Sequence, residues 1–167
     1  RFNECGLQMH PTKTKIVYCK DGKRKQDHQN DSFDFLGFTF RSRAIKNAKC
    51  NIIFTGFNPA VSKTATQAMR DKTRSFNWNL RSDLELKDIS KLFNPVLSGW
   101  INYYGKYHSS NLRYSLQYFT AILVKWAMRK YKRFKGKKME AIRYLKAFIN
   151  SNRSLFAHWR IGMKSVA

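Results

Sequence analysis

Hydrophobic positions recur with two different periods along this 167-residue chain. Up to about residue 57 the apolar residues fall in short clusters between turn residues. Thr14–Lys20 reads as a strand leading out of a turn at His10–Pro11. DGKRKQDHQNDS, from Asp21 to Ser32, is turn chemistry carrying a basic cluster, with Asp21–Gly22 as a hairpin-type signal. FDFLGFTFR, Phe33 to Arg41, reads as a strand buried on both faces. Its Gly37 would weaken packing unless another backbone or a ligand comes close there. CNIIFTG, Cys50 to Gly56, reads as the partner strand.

After NPAVS the period lengthens to that of a helix. Ser62 is a good N-cap for a helix to about Phe76. A second helical pattern opens at Asp83 and continues through Leu86, Ile89 and Phe93. At Asn94–Pro95 a new helix or a sharp kink is expected, because Asn94 can cap and Pro95 suits a first turn. The third pattern places Leu112, Leu116, Phe119, Leu123 and Trp126 on one stripe. Arg113, Gln117, Lys125, Arg129 and Lys132 lie largely off it. A basic break, KRFKGKK, precedes a shorter helix from about Met139 to Ile149. Strands first and helices after predict an α+β fold: a short β-rich part, a bundle of about three helices, and a basic C-terminal helix. The corresponding segments are 1–57, 58–133 and 134–167.

One uncharged dozen, NPVLSGWINYYG (Asn94 to Gly105), has two readings: buried spine or aromatic stacking surface. Trp100, Tyr103, Tyr104 and Tyr107 share one helical face. Gly99 would let a neighbouring helix approach closely. The core reading is taken for Trp100 and Tyr104, and Tyr103 and Tyr107 stay open as amphipathic edges. Asn102 reads as a hydrogen-bonding strut between helices.

Charge changes the picture. The chain holds 33 Lys and Arg against 10 Asp and Glu, a net charge of +23, and residues 111–167 alone carry 14 basic and one acidic side chain. Such one-sided charge is self-repelling until a polyanion neutralises it, and nucleic acid is the commonest such partner. KWAMRKYKRFKGKK interleaves Lys125, Arg129, Lys130, Lys132, Arg133, Lys135, Lys137 and Lys138 with Trp126, Tyr131 and Phe134. Cations can there neutralise phosphates while rings pack inward or stack. This pattern indicates a polyanion but no particular sequence. The longest apolar run, AILV, is far too short to span a bilayer, so no membrane partner is expected. Cys5, Cys19 and Cys50 form no CxxC pair, which fits a reducing cytoplasm. Arg1 in first place reads as the continuation of a longer chain.

Catalytic patterns are thin. Asp21, Asp27, Asp31 and Asp34 share a loop and strand start without visible convergence on a metal pair. His10, His28, His108 and His158 are scattered, so no metal site is expected.

In order, GLQMHPTKTKIVYC, FDFLGFTF, NPVLSGWINYYG and WAMRKYKR…LFAHW resemble the C-terminal part of bacterial group II intron reverse transcriptase/maturases, over nearly the whole chain. GWINYYG after NP is the most specific piece. The resemblance implies that residues 1–57 are the end of a polymerase palm, with Lys13 at the lysine position of motif D. It implies that Phe35-Leu36-Gly37 match the primer grip and that 58–133 is the thumb, or maturase-specific X domain. Asn94, Pro95, Gly99, Trp100, Asn102, Tyr103 and Tyr104 carry the maturase motif, and the basic tail 134–167 could open a DNA-binding region. The implied function is to hold intron RNA for splicing and to grip template–primer. Intron RNA, template–primer and a DNA target are the partners in a cytoplasmic ribonucleoprotein. The family's Tyr-x-Asp-Asp metal motif does not occur in this sequence. Polymerase activity, with Mg²⁺, is therefore expected only in an intact parent enzyme. Two rivals are one part of a split RNA-directed DNA polymerase completed by another chain, and a structural RNA-binding protein.

Overall fold

The computed structural model describes residues 1–21, 23, 28–47, 50–107 and 109–162. Gly22 of the hairpin signal, Asp27, His108 and part of the basic loop that includes Arg24 and Lys25 lie outside them. The fold is α+β, and the chain divides into two compact units, Arg1–Pro59 and Ala60–Ala167.

The first unit is built on a three-stranded antiparallel sheet in the order β1 (Ser32–Phe35), β2 (Phe38–Lys46), β3 (Ile53–Val61). The expected single strand over Phe33–Arg41 is instead a tight hairpin. Phe35 pairs with Phe38, and Leu36 and Gly37 turn between them with φ of 49° and 78°. Two positive φ values are the signature of the primed turns whose twist suits a hairpin. Gly37 is therefore a turn residue, which accounts for it without any close neighbour. Across the pair, Phe33 stacks on Phe40 at 4.9 Å between ring centroids. Nor are both faces buried: Phe33 and Phe35 are 42% and 59% exposed. Thr14–Lys20 is not a strand. Tyr18 N–H donates to Asn30 O at 2.8 Å and Ser42 Oγ to Lys20 O at 2.6 Å, without a regular ladder. Cys50 to Ile52 precede β3, which runs further than the sequence pattern indicates.

The second unit is helical. α1 (Lys63–Ser75) begins as expected, with Ser62 Oγ accepting from Ala65 N–H at 3.1 Å. α2 (Leu86–Tyr104) starts three residues after Asp83, because Asp83 is engaged by Arg81 while Asp88 accepts the Glu85 N–H at 3.1 Å. Of the two outcomes expected at Asn94–Pro95, the new helix does not occur: Pro95 lies inside one continuous helix. Asn94 does not cap. Its Nδ2 donates to Leu155 O at 2.9 Å and its Oδ1 accepts from Ala157 N–H at 3.0 Å, tying the chain before α5 (Ala157–Arg160) to mid-α2. The strut role expected of Asn102 thus falls to Asn94, and Asn102 is exposed.

α3 (Ser109–Lys130) is the central helix, packed against α1, α2 and α4 (Lys138–Ser151). Leu112, Leu116, Phe119, Leu123 and Trp126 are fully buried. Their 3.6-residue spacing is what gives this helix a continuous apolar face. The same core takes in Phe134, Leu145, Ile149, Phe156 and Trp159. Trp100 and Tyr104 are half-buried against it, whereas Tyr103 and Tyr107 are about half exposed. Gly99 has open space where a Cβ would stand, so no helix approaches it. Among the described residues no helix is long and apolar enough to cross a membrane.

Candidate nucleic-acid interface

Burying the Leu112–Trp126 stripe leaves the opposite side of α3 to polar residues. Lys125 and Arg129 stand one helical turn apart on that exposed side. The chain then leaves α3 through a tight turn at Lys132–Phe134, whose buried Phe134 anchors it to the core. Gly136, at φ 75°, reverses the chain into α4. This path brings Lys125, Arg129, Lys132 and Lys135 around an open groove of about 590 Å³, floored by Met128 and Gly136. Among the described residues no acidic side chain lines it. Four cations on one concave wall, with carboxylates elsewhere, form a field suited to a phosphate backbone.

The other basic residues of the segment are placed differently. Lys130 Nζ donates to Leu84 O at 2.8 Å and pairs with Glu85 at 2.6 Å, so this lysine fastens α3 to the start of α2. Arg133 stacks over Phe134 at 4.6 Å and lies near the rings of Tyr131 and Tyr144. Burial, and then the bond to Tyr131, push the Tyr144 hydroxyl up to about 12. Lys137 pairs with Glu140 at 3.4 Å, and Lys138 is exposed. Trp126 and Phe134 pack inward, and Trp126 Nε1 donates to Arg81 O at 3.0 Å.

A second basic cluster was not singled out by the sequence pattern. Arg74 Nε donates to the Tyr118 hydroxyl at 2.7 Å, and the Arg70 and Arg74 guanidiniums lie 5.8 and 5.4 Å from the Tyr118 ring. That bond, with Asp71 adding to it, raises the Arg74 pKa above its ordinary value. The only advance hint was the helical spacing of Arg70 and Arg74, since Tyr118 lies 44 residues from Arg74.

In the first unit, Lys13 sits exposed in a turn, its N–H donating to His10 Nδ1 at 3.3 Å. Phe35, Leu36 and Gly37 form the tip of the β1–β2 hairpin. Among the described residues no three His, Cys, Asp or Glu side chains gather to hold a metal ion. In the second unit the seven motif residues from Asn94 to Tyr104 all lie on α2.

No curated protein and no solved structure gave a significant match to the chain. Residues 66–145 match the family described as group II intron, maturase-specific domain, a span from the first turn of α1 to the middle of α4 that includes the whole groove. The central helix, the NP…GWINYYG segment and the basic groove all lie inside that match, so this part of the chain is similar to the maturase-specific domain of group II introns.

Proposed function

We propose that this chain is the RNA-holding part of a group II intron maturase, which steadies intron RNA for splicing and grips template–primer in the intact parent. The observation that carries the reading is the groove of Lys125, Arg129, Lys132 and Lys135 inside the maturase-specific domain. Phosphates that displace counterions there make binding steeply salt-dependent. Replacing all four by Gln should lower affinity for structured intron RNA and flatten the salt slope by about 0.7 to 0.9 per lost contact. The thermal midpoint should hold, because among the described residues none of the four carries an ion pair of the kind that fastens Lys130. An unchanged slope would place RNA elsewhere.

A second reading draws on the first unit. Among its described residues only Phe38 is buried, while Phe35, Leu36, Ile53 and Phe54 are exposed. An apolar surface of this kind suits completion by another polypeptide, as in a split RNA-directed DNA polymerase. On that reading the chain alone extends no primer, and extension appears when a second polypeptide supplies a Tyr-x-Asp-Asp strand. Nucleotide incorporation by the chain alone would refute it.

A further inference from the structure

Beside the basic groove, and sharing Lys125 with it, lies a cleft of about 320 Å³ between the end of α1, the Trp78–Leu80 turn and α3. Its volume is at the lower end of the range that ligand sites occupy, about 300–1,000 Å³. We infer that this cleft takes one unpaired nucleobase of the bound RNA, whose ribose–phosphate continues past Lys125 into the groove. The inference rests on the RNA-holding reading above.

The chemistry of the walls separates a base from a phosphate. Asn77 and Asn79 line the cleft, and among the described residues neither carboxamide has a hydrogen-bond partner. Asn77 is held at φ 50°, and between the two asparagines Trp78 is 1% exposed, stacked on Phe76 and edge-on to Phe93. The two amides thus stand on a turn anchored in the core. Trp78 Nε1 is also buried without a partner. A carboxamide offers a donor and an acceptor side by side, which matches the edge of a base. The cleft also receives the C-terminal end of α1, whose negative dipole end, with Asp71, is set against the Arg74 cation in the same wall, so a phosphate is drawn here less than to the four cations of the groove. A neutral ring bearing donors and acceptors meets both conditions. Tyr118, fixed by Arg74, and the apolar Ile122 supply flat and apolar wall. Phosphate belongs at the other end, where Lys125 leads to Arg129 and Lys132.

The test uses the full chain and two RNA hairpins of one sequence, one fully paired and one with a single bulged 2-aminopurine. The wild type should favour the bulged hairpin roughly tenfold, the discrimination typical of one well-made base contact. Its binding should also quench the 2-aminopurine emission. Asn77→Gly with Asn79→Ala should abolish the preference while leaving the affinity for the paired hairpin and its salt slope unchanged. Glycine accepts the φ of Asn77 at no steric cost, so the turn should survive. A double variant that keeps the preference overturns the inference, as does unaltered emission on wild-type binding, which needs no variant. Either result leaves the groove reading standing. Failure of the wild type to bind either hairpin removes both.

Discussion

At the scale of single residues, the two glycines of NPVLSGWINYYG have opposite roles. Gly99 is exposed, with nothing within 4 Å of where a Cβ would stand. Gly105 ends α2 with its N–H donating to Ile101 O at 2.8 Å, and a Cβ there would collide with that same carbonyl oxygen. Backbone must shift to admit it. Gly99→Ala should therefore stabilise the helical unit by up to about 1 kcal/mol, the helix-propensity difference between the two residues. Gly105→Ala should destabilise it by roughly 1–3 kcal/mol, as overpacking does. Urea midpoints of the two variants decide the matter, and equal shifts would mean that neither environment is as described. Lys130 makes a similar point for charge. In sequence it is one more cation of a basic run, yet Leu84 O and Glu85, 46 and 45 residues earlier, take it out of the groove. No local pattern records a partner so distant.

At the scale of elements, what was legible depended on whether the cause is local. The N-cap at Ser62 and the buried stripe of α3 follow from neighbours within a few residues, and both stand as the spacing predicts. The β1–β2 hairpin was hidden because its turn is Leu36–Gly37 where Asn–Gly would be the usual signal, so an unbroken apolar run masks the reversal. Asn94–Pro95 does not start a new helix. The cap residue is used by Leu155 and Ala157 of a distant segment, and the helix continues through the proline. In the candidate site the density of cations was visible in advance. Which four share a groove was not, because the Lys132–Phe134 turn and Gly136 set their directions. Leu36 also makes a prediction of its own. A branched side chain at φ 49° is strained, whereas asparagine occupies that region readily. Leu36→Asn should stabilise the hairpin by roughly 0.5–1 kcal/mol. Amide exchange at Phe38 and Thr39 should slow several-fold, and unchanged exchange would show that the turn holds no such strain.

At the scale of the whole molecule, a +23 chain with ten carboxylates resists the usual account of acid unfolding, in which many paired acids are protonated. The second unit has another source of pH dependence in its core. His158 is fully buried between Phe119, Phe156 and Trp159, within 3.2 Å of Thr120 Oγ1, and burial lowers its pKa from 6.5 to about 3. A histidine held neutral in the fold but free to charge when unfolded binds more protons in the unfolded state. Its contribution is fully present above pH 6.5 and is lost as pH falls from there toward 3, at about 1.4 kcal/mol per unit. Asp83, whose carboxyl is held below its ordinary 3.8 by the bond from Arg81, acts only at lower pH. The window from pH 6.5 to 5 therefore reports mainly on His158, and stability should fall there by about 2 kcal/mol. His158→Gln keeps a polar group near Thr120 and removes the titration. It should lower stability at pH 7 but flatten the profile between pH 5 and 6.5. Urea midpoints at three pH values test this, and a wild-type profile already flat across the window would mean that the imidazole is not buried neutral.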